Sequence, residues 1–218
     1  MGDEAALLAV IASNPGVLAP RKMLSDLYRE RGDADRADAW ALVPVTGGYF
    51  ASLIGKRVLS VWLNEQRSTL HIETGDKWHE YHADGDCCSW SWWYRVKGLT
   101  ALVGHTVHAE ADGGCDDVDP KDGLCQQEED QVYGVTLLTE AGACELCYRN
   151  SSNGYYGGFL TPRQHDRRPE DLGVRLLTDW THPPAERPPQ FGCSRTAGEA
   201  GEAGEACNCS TCLFPVKS

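Results

Sequence analysis

The sequence predicts an α+β protein, with a short N-terminal helical module, an antiparallel β-rich domain with one short helix, and a disordered C-terminal tail. Three observations support this fold class. Apolar residues recur at helical spacing before residue 43, and they alternate with polar residues between positions 55 and 160. The last segment is low in complexity. A chain of 218 residues is long enough for one sizeable core with appendages.

Residues 3–42 are predicted to form two or three short helices. The breaker Asn14-Pro15-Gly16 separates the first helix from the second, which accommodates Pro20 in its first turn. Asp33 is predicted to cap a third helix over Ala34–Leu42, because its carboxylate can accept a hydrogen bond from an early backbone N–H.

The same segment resembles the repeat-companion domain, a short module at the N-terminus of planctomycete and myxobacterial proteins. The similarity rests on the stretches Leu7-Leu-Ala-Val-Ile-Ala12, Ala19-Pro-Arg21 and Arg29–Asp38. The resemblance implies a helical adaptor over residues 1–43 and supplies no catalytic residues.

Beyond Gly55 the alternating pattern is typical of β-strands. Strands are predicted over residues 56–64, 69–74, 77–82, 105–111, 132–140, 143–150 and 155–160, with a short helix over 96–103. Gly75-Asp76 is predicted to close a hairpin, and the last three strands are predicted to form an antiparallel meander. The acidic, turn-rich stretch Asp112–Gln131 is predicted to be an exposed loop.

Residues 55–160 resemble a domain-of-unknown-function family found in phage and bacterial proteins. The matching pieces are Gly55-Lys56 before a strand, His82 shortly before Asp86-Cys87-Cys88, the helix end Leu99–Gly104, and Ser152-Asn-Gly-Tyr-Tyr156. The resemblance implies a β-rich fold and a link to phages or mobile elements, and it implies no activity.

After Leu160 the composition shifts towards proline and charge. Residues 161–192 form a proline-rich extension with one amphipathic piece, Leu172–Trp180, that is predicted to dock on the sheet. Residues 193–218 form a tail that contains three Gly-Glu-Ala units and is too polar to pack.

The charge balance disfavours several classes of partner. With 32 acidic and 20 basic residues the net charge is −12, which repels phosphate backbones and makes broad nucleic-acid binding unfavourable. No apolar run approaches the roughly 20 residues that a membrane helix needs. Because Met1-Gly-Asp-Glu lacks the positive charge of a secretory signal, we expect a cytoplasmic protein whose cysteines are thiols or metal ligands.

The first candidate metal site combines His82 with Cys87 and Cys88. A turn could bring a thiolate back towards the imidazole, and these are ligands that Zn²⁺ prefers. Strand alternation places His79 on the opposite face from His82, which excludes it from this site. The alternative is a structural corner in which the thiols are buried against tryptophans.

The second candidate lies in the tail, where Cys207, Cys209 and Cys212, together with Cys193, are spaced to bind Zn²⁺ or Cu(I). The alternative is an unstructured tail with incidental thiols. The pair Cys144-x-x-Cys147 is placed on opposite faces of a strand, so structural cysteines are favoured over a redox or zinc pair.

Six aromatic residues form a candidate binding surface, since ring faces stack on sugars, bases and peptides. They are Trp90, Trp92, Trp93, Tyr94, Tyr155 and Tyr156. The alternative is that these large side chains belong to the core.

We therefore predict a non-catalytic interaction or adaptor protein with a protein partner. The sequence contains no Gly-x-Ser-x-Gly elbow, and no phosphate-binding glycine-rich loop opens a helix. The main alternative is a metal-binding or thiol-redox protein that uses the Cys and His residues, and an enzyme with a novel site is a third possibility.

Overall fold

Three helices form the N-terminal part of the protein. They are α1 (Gly2–Ser13), α2 (Leu18–Glu30) and α3 (Ala34–Ala41). Asp33 caps α3 as predicted, because its side chain accepts a hydrogen bond from the Arg36 backbone N–H at 3.2 Å. The computed structural model describes residues 2–14, 17–42, 45, 47–85, 89–117, 129–152 and 157–182.

Ten strands follow within the described residues. They are β1 (Val58–Leu63), β2 (Thr69–Thr74), β3 (Trp78–Gly85), β4 (Trp90–Lys97), β5 (Val107–Asp117), β6 (Glu129–Thr139), β7 (Gly142–Ser152), β8 (Gly158–His165), β9 (Val174–Arg175) and β10 (Trp180–Thr181). A 3-10 helix, Ala51–Leu53, precedes β1, and the short helix α4 (Leu99–Leu102) follows β4.

The predicted α+β class is confirmed, whereas two element boundaries are wrong. The helix predicted over 96–103 is only four residues long, because Val96 still pairs in β4 and Gly98 turns the chain at φ +81°. The loop predicted over Asp112–Gln131 is shorter, because β5 and β6 extend into it and pair with each other. The remainder of that loop lies outside the described residues.

The strands form two antiparallel five-stranded sheets. The first sheet has the order β8-β3-β2-β1-β9, and the second has the order β10-β4-β7-β6-β5. The predicted hairpin between β6 and β7 is present, but β8 pairs with β3 in the first sheet rather than with β7. The three-stranded meander was therefore wrong, since β4 and β6 already occupy both edges of β7.

The inner faces of the two sheets, which face each other, build the main hydrophobic core. The core buries Tyr81 of β3 and Trp93 of β4 together with Leu137 and Leu146, each with at most 1% of its surface exposed. Burial of such side chains is the dominant favourable contribution to folding.

The N-terminal helices cover part of the outer face of the second sheet. Trp40 of α3 is buried in a smaller cluster that includes Ala109 of β5 and Leu138 of β6. The helical segment is therefore packed on the β-domain through an apolar interface.

The amphipathic piece 172–180 docks on the sheets as predicted. Leu172 and Leu176 are buried, β9 pairs with β1, and β10 pairs with β4, so that each sheet gains one short edge strand. Within the described residues no helix is both long and apolar enough to cross a lipid bilayer. The predicted tail, residues 193–218, lies outside the described residues.

Candidate binding cleft

A cavity of about 680 Å³ lies between the two sheets. Its walls come from residues 45 and 47–49, which follow the helices in the chain, from β5, β6 and β7 of the second sheet, and from β8 of the first. The side chains that give it chemical character are Tyr49, Glu110, Asp112, Tyr133, Tyr148 and Pro162. Clefts of this size, with apolar walls and few polar groups, are typical ligand sites. We call this cavity the cleft.

Glu110 of β5 is the more buried of the two carboxylates that line the cleft, with 3% of its surface exposed. The Phe50 backbone N–H donates to its Oε2 at 3.0 Å, and the Tyr49 backbone N–H also donates to the carboxylate. Burial raises the pKa of Glu110, while these two hydrogen bonds act in the opposite direction. The carboxylate is thus oriented by backbone donors at the base of the cleft.

Two glycines allow the segment before Tyr49 to close on this carboxylate. Gly47 adopts φ +75°, a conformation that glycine tolerates best. A Cβ atom at Gly48 would lie 2.2 Å from Glu110 Oε1, so only glycine fits there without displacing the carboxylate. The backbone N–H of Val45 also donates to the Glu110 carbonyl at 2.8 Å. The chain that leaves the helices is therefore bonded directly to the cleft.

Tyrosine rings form the opposite wall. Tyr133 and Tyr148 stack with their centroids 5.0 Å apart and their planes inclined by 14°. The Tyr133 hydroxyl donates to Gln131 Oε1 at 2.7 Å, and the Tyr148 hydroxyl donates to the Gly158 carbonyl at 3.3 Å. These bonds hold both rings in place, whereas Tyr49 at the rim is 38% exposed.

A bulge in β5 shapes the edge of the cleft beside Asp112. The register of β5 with β6 shifts between Asp112 and Cys115. At this point Gly113 and Gly134 bring their backbones together, since a Cβ atom on Gly113 would lie 2.6 Å from the Gly134 carbonyl carbon. The exposed Asp112 carboxylate accepts a hydrogen bond from the Gly114 N–H at 2.9 Å.

The cleft therefore offers two carboxylates, Glu110 and Asp112, and aromatic surface. Among the described residues that line it there is no Lys, Arg, His, Cys or Ser. The described residues likewise contain no group of three or more His, Cys, Asp or Glu side chains arranged to hold a metal ion.

The predicted metal residues are not brought into this cleft. His82 is half-buried on the outer face of β3, and its Nδ1 lies 2.9 Å from Thr69 Oγ1. His79 lies on the inner face, as the alternation predicts, 3.0 Å from Ser52 Oγ. The cysteines proposed as ligands, Cys87, Cys88, Cys193, Cys207, Cys209 and Cys212, lie outside the described residues, so the zinc sites stay predictions.

The predicted aromatic surface needs correction at two positions. Trp92 and Trp93 are both completely buried and cannot form an exposed binding surface. Both faces of β4 are covered here: the Trp93 ring nitrogen donates to the Tyr81 carbonyl at 3.1 Å, and Arg149 lies over Trp92 at 5.6 Å.

The remaining aromatic positions fall into two groups. Trp90 is the first residue of β4 and Tyr94 lies in the middle of the strand, and both side chains are half-buried. Tyr155 and Tyr156 lie outside the described residues. The aromatic surface that the structure does present is the tyrosine wall of the cleft.

The Cys144-x-x-Cys147 pair lies on β7, with both cysteines buried and free. Cys144 belongs to the core between the sheets, and Cys147 lies on the other face, where its thiol donates to Glu145 Oε1 at 3.0 Å. Burial raises the pKa of both thiols, that of Cys147 to about 12. Such thiols are poor nucleophiles, which supports the structural interpretation.

Sequence reasoning did not identify Glu110, Tyr133 or Tyr148. The alternation of Ala109, Glu110 and Ala111 is the pattern of a strand with one solvated face. Only the pair Gly47-Gly48, next to an aromatic residue, signalled an unusual backbone here.

Comparison with known proteins places the strands of the cleft in a family. Residues 51–160 match the family described as "Domain of unknown function (DUF7448)". An uncharacterised protein of Acanthamoeba polyphaga mimivirus is 33% identical over 110 residues, which cover 48% of this chain and 84% of the viral protein. No solved structure matches the chain. The family match does not reach the N-terminal helices, whose resemblance to the repeat-companion domain stays a prediction.

Proposed function

The chain belongs to the DUF7448 family, and we propose that it is a non-catalytic binding protein that holds a segment of a partner protein in the cleft between its sheets. The observation that carries this proposal is the combination of an open cavity with tyrosine walls and a lining that contains no Ser, Thr, Cys, His or Lys among the described residues. Tyrosine is enriched where proteins bind other proteins, because its ring is large, rigid and amphipathic.

The position of the helices supports an adaptor role. They pack on the outer face of the second sheet through Trp40 and Leu138, whereas the cleft opens from the inner face. The helices therefore leave the cleft open, while Val45, which follows them in the chain, donates a hydrogen bond to the Glu110 carbonyl in its wall. That one relative is encoded by a virus is compatible with the predicted link to phages or mobile elements.

The proposal is tested by selecting a displayed random peptide library on the wild-type protein and measuring affinities by calorimetry. Tyr49→Ala removes an exposed ring from the rim of the cleft, and we expect it to weaken the binding of the selected peptides by about tenfold or more. The matched control is Phe159→Ala, because Phe159 is 39% exposed and does not line the cleft.

Equal losses in Tyr49→Ala and Phe159→Ala would contradict binding in the cleft. The same conclusion would follow if selection yielded no peptide that binds more tightly than about 1 mM.

A further inference from the structure

We propose that the partner segment inserts a cationic side chain, lysine or arginine, into the cleft, between the carboxylates of Glu110 and Asp112 and the stacked rings of Tyr133 and Tyr148. This inference rests on the proposed function and specifies the chemistry of the group that the cleft binds. It commits to a basic segment of a protein partner as the occupant.

The first argument is the charge of the lining. The cleft contains two carboxylates, Glu110 and Asp112. Each accepts a hydrogen bond from a backbone N–H group. Neither forms an ion pair within the described residues, although surface carboxylates such as Asp76 and Asp166 pair with lysines. The cleft therefore presents negative charge that the described part of the chain does not neutralise.

The second argument is the cost of that arrangement. A buried carboxylate is unfavourable without a counter-charge, and only 3% of the surface of Glu110 is exposed. Burial raises the pKa of Glu110, and a bound cation would oppose this shift. A positively charged ligand thus gains more binding free energy in the cleft than a neutral ligand of the same shape.

The third argument is the aromatic wall. Tyrosine faces attract cations, and the guanidinium of arginine also stacks on them. The chain uses this contact elsewhere: the Arg36 guanidinium lies 4.4 Å from the Tyr28 ring centroid, and that of Arg168 lies 5.2 Å from the Trp62 ring. The rings of Tyr133 and Tyr148 offer the same chemistry beside Glu110.

The shape of the cleft favours a long basic side chain over a compact cation. Its walls include the apolar side chains of Val45, Val135 and Pro162 in addition to the tyrosines. Lysine and arginine bury their aliphatic stems along such surface while the charged end reaches a polar group. A simple metal ion would leave these walls without a contact.

Calorimetry with three capped tripeptides of equal length tests the inference: tri-arginine, tri-lysine and tri-citrulline. Citrulline keeps the shape of arginine without its charge. We expect the wild-type protein to bind at least one of the basic peptides about tenfold more tightly than tri-citrulline. We expect Asp112→Asn, which retains an acceptor for the Gly114 N–H, to weaken that binding several-fold.

The matched control is Asp166→Asn, which removes the same charge from an exposed site outside the cleft. It corrects for general attraction to a chain of net charge −12. Glu110→Gln is the second test of the cleft, read together with its circular dichroism spectrum to establish that the fold is retained. Equal weakening by Asp112→Asn and Asp166→Asn, or equal binding of tri-citrulline, would overturn the inference.

The two proposals fail in different ways. One outcome is that the selected peptides bind more weakly to Tyr49→Ala but equally well to the wild-type protein and Asp112→Asn. In that case the cleft binds a partner that is not cationic. If Tyr49→Ala has no effect on any selected peptide, the cleft is not the binding site and the proposed function fails.

Discussion

Gly48 packs against the Glu110 carboxylate so closely that a Cβ atom at position 48 would lie 2.2 Å from Glu110 Oε1. This contact joins the segment that follows the N-terminal helices to the central part of β5. It also positions the N–H groups of Tyr49 and Phe50, which donate to the same carboxylate. The base of the cleft is therefore formed by backbone from outside the family match and by a side chain from within it.

We expect Gly48→Ala to destabilise the protein by about 1–3 kcal/mol, because the added methyl group must displace a buried carboxylate from its backbone donors. Urea unfolding followed by tryptophan fluorescence measures the change. Gly75→Ala is the matched control, because a Cβ atom at that turn position meets no atom within 4 Å and its φ is not in the left-handed region. Equal free energies of unfolding for the wild-type protein and Gly48→Ala would contradict the tight contact.

The fold could be predicted from the sequence wherever local signals were strong. The strand Thr69–Thr74 was predicted with its observed bounds, and the Asp33 cap and the parity of His79 and His82 were also correct. Each depends on residues close together in the chain, namely a hairpin turn, a capping side chain or a strict alternation.

The sequence could not predict features that depend on which strands meet. The position of β8 beside β3 follows from competition for the edges of β7, which no local pattern records. The burial of Glu110 could not be predicted for the same reason. An acidic residue between two alanines predicts a solvated strand face, whereas in the structure a second sheet and the Gly47-Gly48 segment cover Glu110. The cleft is thus a product of tertiary pairing.

A buried ion pair joins Arg149 of β7 to Asp130 of β6. The Arg149 Nε–H donates to Asp130 Oδ2 at 2.6 Å, and neither side chain has exposed surface. We expect Asp130→Asn to destabilise the protein by about 3–5 kcal/mol, because it removes the carboxylate from a fully desolvated guanidinium. Chemical unfolding of the purified variant measures this loss.

Asp166→Asn provides the comparison for this prediction. It breaks the Lys77–Asp166 pair, whose side chains are 41% and 85% exposed, and we expect a change below about 1 kcal/mol. Similar losses for Asp130→Asn and Asp166→Asn would mean that the buried pair contributes no more than a surface pair.

Acid is expected to destabilise the protein through two histidines, the buried His79 and the half-buried His108. Burial lowers the pKa of His79 and His108 below the ordinary value of 6.5, although Asp76 and Glu140 respectively act in the opposite direction. The unfolded chain therefore binds protons at a higher pH than the folded chain does. The contribution of each histidine to the free energy of unfolding is present above pH 6.5 and is lost as the pH falls towards the lowered pKa of that histidine.

His79→Gln isolates one of these contributions. Its side chain can retain a hydrogen bond to Ser52, and it does not titrate. We expect the free energy of unfolding of this variant to fall less steeply between about pH 7 and pH 5, by at most about 1.4 kcal/mol per pH unit. Urea unfolding at several pH values measures both slopes. Parallel slopes for the two proteins would contradict a lowered pKa at His79.

Alkylation resolved by mass spectrometry distinguishes the structural role of Cys144 and Cys147 from the thiol-redox alternative. Both thiols are buried, and burial raises the pKa of each, that of Cys147 to about 12. Since the thiolate is the reactive form, we expect both cysteines to resist iodoacetamide in the folded protein at neutral pH and to react once urea unfolds it. The unfolded sample is the control that the peptide carrying both residues is detected. Rapid labelling of Cys147 in the folded protein would favour the redox alternative, because a buried structural thiol on β7 can reach the reagent only when the strand opens.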